Sequence, residues 1–550
     1  MTERITNMKD YITKAIALAA ALTTFCAANT GFSAVAADTP VGDSMLRGNL
    51  NGDVQISVED AQLALTAAAE ILAGIDSGID PSLQPLADVD RDGDLTVKDA
   101  QFILQYYVQN TLLEMPTDWD ALLYAGRPKN QVPDKNDTLT ILCWTDDELA
   151  GMIEHFTTAN PKYQDHVQYV NVGMSGGESR EVYASYLASG KDADLIVTEA
   201  DWILDYTDND KLTRPITDLG FNESDFGGCY PYTLSVGRNS SGVLKSVTYT
   251  AWPGGYVYRS DLAKQYLGVS SPAEMQPLVK DWDTFMETAA KLKKASDGKT
   301  AMVASRGDLV QPLVFANHGK AYEKDGSTYK LIVPDTFKSF YDCFKTAQAE
   351  GYYATYDQWT EDWYEVGYND QTLGYFFSSW CLGRGAMLEN AEGCFQTTDG
   401  NAEKGKSFGK YNITEGPSPW FWGGYWLMLG ANADSGTAAH DFIEHFVVNG
   451  ETMLSYAQNT GNFVNNSWAM KQITRPNPLL GGQSEFAVLD RNAKAINLEG
   501  VIAPNYFYTI WDFYGCAIDA KSYEDAVAKL TDLKANGQNT VSAQPVSDNE

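Results

Sequence analysis

Residues 88–99 read Asp-Val-Asp-Arg-Asp-Gly-Asp-Leu-Thr-Val-Lys-Asp, and no other stretch of the 550-residue chain restricts its own folding so tightly. Carboxylates crowded at alternate positions repel one another unless a cation takes up their charge. Calcium asks for six to eight hard oxygens, and a tight loop can aim alternate residues at one point. Asp88, Asp90 and Asp92 fall at loop positions 1, 3 and 5, and Gly93 at position 6, where the turn needs a residue without Cβ. Asp94 offers its carbonyl at position 7, Thr96 stands at 9, and Asp99 closes the set at 12. A weaker copy lies 39 positions earlier, with Asn49, Asn51, Asp53, Gln55, Ser57 and Asp60 at the same places. There Val54 replaces the turn glycine and two asparagines remove two charges. That leaves two outcomes for the first loop, weak calcium binding or a shape kept without metal. The cofactor expected is therefore one calcium ion, with a second as the weaker candidate. Each loop runs into the same helix start, Asp60-Ala-Gln-Leu-Ala-Leu65 and Asp99-Ala-Gln-Phe-Ile-Leu104.

The closing Asp, in place of the Glu of an ordinary EF-hand, and the duplication together resemble a type I dockerin over residues 42–115. The resemblance implies a small all-α module that folds on calcium and docks into a cohesin of a scaffoldin. It puts the docking contacts at loop positions 10 and 11 and on the helix that follows. Here those residues are Val58, Glu59, Val97 and Lys98, with Leu65, Leu104 and Gln105 behind them. The two copies present different pairs, so a symmetric two-way docking is not expected.

Residues 1–37 read as a secretory signal. Arg4, Lys9 and Lys14 precede a short apolar run from Ala15 to Ala28, too short to span a bilayer, and Ala34-Val35-Ala36 offers a cleavage point. Thr24-Phe25 before Cys26 does not resemble a lipoprotein cleavage box, so no membrane anchor is expected and the protein reads as secreted. The signal carries three basic and two acidic residues, so its removal takes the net charge from -33 to -34. Such acidity without a basic patch argues against nucleic acid as a partner. The six cysteines beyond the signal (143, 229, 343, 381, 394 and 516) are too scattered for a disulfide framework or a zinc pattern.

Residues 116–136, with three prolines, read as a linker holding one helical turn at Trp119–Leu123. Beyond them the texture changes. Thr138–Trp144, Val167–Val172 and Asp194–Val197 read as strands, and Asp147–Asn160 and Ser179–Ser189 as helices between them. That alternation predicts a parallel α/β sheet, and about 410 residues exceed one core, which predicts two lobes. Several segments in order resemble a family 1 extracellular solute-binding protein. They are LTILCW with its sequel through ADLIVTEADW, VTYTAWPGGYVYRSDL, DWDTFMETAAKLKKA, GRGAMLEN (read as a strand at Ala386-Met387) and WGGYWLMLGANADSG. The resemblance implies a two-lobed, periplasmic-binding-protein-like (type II) module over 137–550. Lobe 1 would take about 137–248 and 425–470, and lobe 2 about 252–420 and 480–540. It also implies an oligosaccharide ligand and, as a partner, an ABC importer.

Sugars present hydroxyls to planar polar groups and C–H faces to aromatic rings. With 13 Trp and 31 Tyr the chain is rich in such rings, and several fall where α/β strands end. Trp144, Asp146 and Asp147 follow the first strand, Ser175 lies in the loop after the second, and Glu199, Asp201 and Trp202 follow the third. Trp252 marks one crossing between lobes, with a hinge expected at 249–253 and 417–424. Trp422, Tyr425 and Trp426 flank Gly423-Gly424, and Glu392 follows the Ala-Met segment. Any one tryptophan serves a core as readily as a cleft, and Trp359 and Trp363 stand at a spacing that helix packing also produces. Gly173-Met-Ser175-Gly-Gly177 matches a nucleophile elbow, but short motifs match by chance. A glycoside hydrolase would need two carboxylates about 5 to 9.5 Å apart, and no segment resembles such a site. The reading is a scaffold-tethered, non-enzymatic carbohydrate-binding protein, with a dockerin-borne glycoside hydrolase or esterase as the alternative.

Overall fold

A computed structural model describes residues 47–535, except 54, 146–147, 174–176, 190–192, 316–320, 326–327, 334, 356, 384–385, 394–404 and 499–505. The chain divides into two compact units, Met1–Ala125 and Gly126–Glu550.

In the first unit each acidic loop delivers a helix, α1 (Val58–Leu72) and α2 (Val97–Tyr107). Ser57 and Thr96 cap these helices, and Asp60 and Asp99 complete a capping box at each. Small residues let the two helices pack closely, with Ala61, Ala64, Ala68, Ala100 and Ile103 buried between Leu50 and Val89 of the loops. The expected turn of helix at Trp119–Leu123 is present. Trp119 stacks on Tyr106 at 4.3 Å between ring centroids.

The second unit holds two sheets. The first contains β1 (Leu139–Cys143), β2 (Val167–Asn171), β3 (Leu195–Thr198), β4 (Thr213–Arg214) and β5 (Ser246–Thr248). The second contains β6 (Gly254–Arg259), β7 (Ala301–Ser305), β10 (Tyr353–Thr355), β11 (Thr372–Ser378) and β12 (Tyr411–Thr414), and β8 (Tyr322–Asp325) and β9 (Thr328–Leu331) form a hairpin apart. The chain then returns to the first sheet as β13 (Trp426–Gly430). The first sheet has the order β2-β1-β3-β13-β4 with β5 beside β13, and the second β10-β7-β11-β6-β12. Helices α3 (Leu149–Ala159) and α4 (Gly177–Ala188) connect the first three strands. Strands β1, β2 and β3 are parallel and β13 lies antiparallel to β3. Full burial of β1, β3 and β13 explains their near-continuous apolar runs, in which Thr140 and Thr198 are the polar members. The two sheets are the cores of two lobes.

The chain crosses between lobes at 249–253 and 415–425. The crossings run side by side, joined by a bridge between Pro253 and Phe421. The Gly254 amide donates to the Trp420 carbonyl at 2.8 Å and the Trp422 amide to the Trp252 carbonyl at 3.2 Å. Asn492 donates to the carbonyls of Gly254 and Glu415, one on each crossing.

Two expectations change. Residues 126–136 are not a linker but part of the second unit. Val132 is buried, Arg127 pairs with Asp225 and Glu444 at 2.8 and 2.7 Å, and Asp134 accepts from the Thr437 amide. Prolines and polar residues suggested an open connection, yet Arg127, Asn130 and Asp134 each have partners on the lobe. The Ala386-Met387 segment is not a strand either, because Met387–Ala391 forms a short helix.

Candidate functional site

The carboxyl ends of β1 and β3 lie together at one edge of lobe 1, and antiparallel β13 begins beside them, Trp426 opposite Thr198. Trp144 follows β1, half-buried, and Glu199 and Asp201 follow β3. In lobe 2 the parallel strands β7, β10 and β11 lead into Asp308, Gln358-Trp359 and Trp380. The crossings add Trp252 and Trp422. Helix α5 (Val310–Phe315) of lobe 2 carries Gln311, and helix α6 (Tyr506–Ile518) packs against both α5 and the Ala200–Trp202 turn of lobe 1. The lobes therefore face one another across a cleft. Asp201 of lobe 1 and Gln311 of lobe 2 line the same void of about 20 Å³, with Trp422 and Trp511. A larger cavity of about 590 Å³ on lobe 1 shares none of these residues and ends at Asn497 and Leu498, beside residues outside the described set.

Three indoles form the centre of the lobe 2 wall. Trp359 and Trp380 stack at 6.0 Å and 10°, and Trp422 meets both edge-on at 5.2 and 5.3 Å. Their positions are fixed from behind. The Trp380 indole donates to the Trp422 carbonyl at 3.1 Å, and Ser378 Oγ to the Trp252 carbonyl at 2.9 Å. Trp252 and Trp359 have φ of 51° and 67°, a conformation that disfavours a bulky residue by about 1–2 kcal/mol. Such strain persists only where the surroundings over-determine it, and it gathers at ligand clamps. Gly423 has φ 95°, and a Cβ there would meet the Trp252 ring at 2.6 Å.

The acids behave unequally. Burial, with Asp201 close by, pushes the Glu199 carboxyl up to about 8, so it carries a proton at neutral pH. Its Oε2 accepts from the Trp202 indole at 3.3 Å. Burial also raises Asp308 to about 6. Asp308 accepts from Gln358 Nε2 at 2.9 Å, Trp363 Nε1 at 3.0 Å, and the Ser305 amide and hydroxyl at 2.6 and 2.9 Å. It is a support for the wall rather than a free ligand group.

Of the residues expected at the site, Trp144, Glu199, Asp201, Trp252 and Trp422 lie at the cleft edge or on the crossings. Asp146, Asp147 and Ser175 lie outside the described residues. Four do not offer themselves to a ligand. Trp202 is packed among Tyr183 and Tyr206. Trp426 is buried and donates to the Thr233 carbonyl at 3.1 Å. Tyr425 is buried with its hydroxyl donating to the Thr145 carbonyl at 3.3 Å. Glu392 ends the short helix in lobe 2, is fully buried, and accepts from the Gly409 amide at 3.2 Å. Proximity to a strand end does not tell which side of the pleat a ring faces, and the segment that Glu392 follows is a helix rather than the expected strand. Trp359 and Trp363 divide, the first half-buried against Trp380 and Trp422 and the second in the core as a donor to Asp308. Trp380, Gln311, Gln358, Trp420 and Trp511 were not anticipated. A Trp closing the FFSSW run marked Trp380, whereas nothing local marks Gln311.

In the first unit, carboxylate oxygens of Asp88, Asp90 and Asp99 lie within 4.8 Å of one another. Gly93 turns the loop at φ 95°. Burial and the neighbouring acids push Asp99 up to about 7 and Asp92 to about 6. Lys98 Nζ stands 2.7 Å from Asp90. The first loop is organised differently. Asn49 Nδ2 donates to the Asp53 carbonyl at 2.5 Å and Asn51 Nδ2 to the Asp53 carboxylate at 3.0 Å, so amide N–H groups replace charge. Thr96, Asp99, Ser57 and Asp60 hold the loop ends in both copies, with Val89 N on Asp99 at 2.9 Å and Leu50 N on Asp60 at 2.7 Å.

The profile of the bacterial extracellular solute-binding proteins matches residues 151–470. The chain belongs to this family. Solute-binding proteins capture solutes and do not transform them, which sets aside the hydrolase and esterase readings. Among solved structures, an extracellular solute-binding protein of family 1 superposes with a TM-score of 0.60 at 17% identity, covering 73% of this chain and 99% of its own. An ABC transporter-associated binding protein from B. animalis subsp. lactis Bl-04, in complex with beta-1,6-galactobiose, gives 0.53 at 18%, covering 73% and 99%. The galacto-N-biose-/lacto-N-biose I-binding protein of the ABC transporter from Bifidobacterium longum, with lacto-N-biose, gives 0.53 at 13%, covering 74% and 100%. No curated protein matches the chain by sequence. Among the described residues no helix is long and apolar enough to cross a membrane.

Proposed function

We propose that this solute-binding protein captures a soluble oligosaccharide between its lobes, and that its first unit tethers it, calcium-loaded, to a cohesin of a scaffoldin outside the cell. The observation that carries the sugar reading is the cluster of Trp359, Trp380 and Trp422, of which Trp422 lines the interlobe void together with Asp201. Indole faces suit sugar C–H faces and a carboxylate suits hydroxyls. The sugar complexes among its structural relatives support the same class of ligand, and their ABC transporters make an importer a natural recipient.

The second loop suits calcium. Its donors are hard oxygens from Asp88, Asp90, Asp92 and Asp99, with the Asp94 carbonyl, and without a cation those acids crowd one another. Calcium there would neutralise the cluster and tie the loop to α2. The tethering role draws support from apolar exposure. Leu63, Ile71, Leu72, Ile75, Leu112, Leu113 and Met115 make up most of the exposed large apolar side chains among the described residues, and all lie in this unit. Glu59, Lys98 and Gln105 are exposed beside half-buried Val58, Leu65, Val97 and Leu104.

A thermal-shift screen of the full chain in calcium, against starch, plant and galactose-based oligosaccharides, tests the capture reading. A bound sugar raises the melting temperature by mass action and is recovered intact by chromatography. A cleaved sugar would sink it. For the tether, a cohesin should retain the chain in calcium and release it in EDTA, and retention in both would overturn the calcium dependence.

A further inference from the structure

One buried carboxylate ties the end of β7 to the segment that carries Trp359. Asp308 is 2% exposed. Its Oδ2 accepts from the Ser305 amide, the Ser305 hydroxyl and the Trp363 indole at 2.6, 2.9 and 3.0 Å. Its Oδ1 accepts from Gln358 Nε2 at 2.9 Å. Gln358 and Trp363 stand on either side of Trp359 in the chain, one residue before it and four after. Thr355, which ends β10, is paired with Ser305 at the end of β7, so the two strand ends bring these groups to one place. The fit is close, since a Cβ on Gly307 would meet the Gln358 side chain at 3.0 Å. Beyond Trp359, Thr360 caps the helix Glu361–Tyr368 and accepts the Trp363 amide on its hydroxyl at 3.3 Å.

Trp359 needs such a frame. Its φ of 67° is left-handed, and a bulky residue keeps that conformation only where its surroundings forbid an ordinary one. Packing alone does not account for a carboxylate at position 308. Burying a charge costs free energy, and an apolar residue of similar volume often fills such a site at least as stably. What a carboxylate adds is direction, because its two oxygens hold donors at set angles. Two of the donors held here are the side chains that flank Trp359. Trp359 in turn stacks on Trp380 at 6.0 Å and meets Trp422 at 5.2 Å. Trp422 lines the interlobe void with Asp201. The hold of Asp308 on two side chains is thereby passed to the rings beside the void.

We propose that Asp308 is the positioning residue of the indole cluster: through Gln358 and Trp363 it holds Trp359 in its left-handed conformation, and with it the ring geometry on which ligand affinity depends. Four donors take up its own oxygens, so it acts through these two residues rather than on the ligand. The effect on affinity rests on the carbohydrate reading above, whereas the effect on the rings stands apart from it.

The test uses the full chain in calcium, labelled with 5-fluorotryptophan, with the Trp359 fluorine resonance assigned by its loss in Trp359→Phe. Asp308→Ala removes the acceptor. Asp308→Asn is the conservative variant. Its oxygen keeps the three donors on one side, and its N–H on the other is accepted by a Gln358 amide turned over. Gln358→Met keeps the length of the side chain and deletes the N–H given to Asp308, so it decides the matter if Asp308→Ala fails to fold. Fluorine spectra are recorded without sugar, and each variant is titrated calorimetrically with maltotriose, cellotriose, xylotriose and beta-1,6-galactobiose. The expected result is a displaced Trp359 resonance and affinity lowered about tenfold in Asp308→Ala and Gln358→Met, with both restored to near the parent values in Asp308→Asn. A Trp359 resonance unmoved in folded Gln358→Met would overturn the proposal, even with a lower melting temperature, because Asp308 would then only stabilise lobe 2. A displaced resonance with unchanged affinity for a sugar that the parent binds would overturn it too. If the parent chain binds none of the four sugars, the carbohydrate reading fails, and the sugar-free fluorine spectra still decide whether Asp308 positions Trp359.

Discussion

Glu392 shows what a misplaced residue can still reveal. It sits fully buried in lobe 2 with one carboxyl oxygen on the Gly409 amide, and burial lifts it to about 8. A carboxyl raised on folding keeps a proton that the unfolded chain gives up. Its contribution to stability is therefore complete below the ordinary carboxylate range and is lost as pH rises through about 8. Melting between pH 5 and 9 should fall toward the alkaline end, and Glu392→Gln, which needs no proton, should flatten that fall. An equally steep fall in the variant would assign the pH dependence to other buried acids such as Glu199. The two acidic loops give a second residue-level expectation. Asp99→Asn should abolish the calcium-dependent rise in melting of the first unit, a rise of about 2.7 kcal/mol at a hundredfold excess over Kd. Asp60→Asn should leave that rise in place, because asparagine amides already fill the first loop. Equal losses in both would mean that both loops bind.

Among the elements, those with a strong local period were legible. The strands after Thr138 and Asp194 carry mainly apolar runs because both faces are buried, and the helices between them lie within two residues of expectation. Lobe 2 was far less legible. The order of its sheet, β10-β7-β11-β6-β12, does not follow the chain, and GRGAMLEN looks like a strand until Met387–Ala391 is found helical. The cleft was legible as a location but only partly as a list of residues. A tryptophan near a strand end reaches the cleft or the core according to the side of the pleat it leaves from, which a sequence does not disclose. The segment 126–136 yields a prediction at this scale. A variant of the second unit beginning at 137 should melt about 5 °C or more below one beginning at 126, since it loses buried Val132 and the Arg127 pairs. Equal melting would mean that these contacts add nothing.

At the scale of the molecule, each unit has a core of its own. Calorimetry on the full chain should show two transitions, of which only the one belonging to residues 1–125 moves when EDTA removes calcium. One merged transition shifting as a whole would contradict separate cores. The lobes are coupled through crossings knitted at Pro253–Phe421 and clamped by Asn492. Gly423→Val should wedge the Trp252 ring and lower affinity for any cleft ligand at least tenfold, with a smaller effect on melting.

The cluster of Trp359, Trp380 and Trp422 carries its own optical label. Indoles within about 6 Å of one another couple their electronic transitions, and such coupling depends steeply on separation and mutual angle. Trp359 and Trp380 are positioned by lobe 2, whereas Trp422 belongs to the segment that crosses back to lobe 1. A change in the angle between the lobes therefore reorients one chromophore against the other two. The near-ultraviolet circular dichroism and emission of the unmodified protein should register that motion directly, so ligand capture can be followed in real time without a dye.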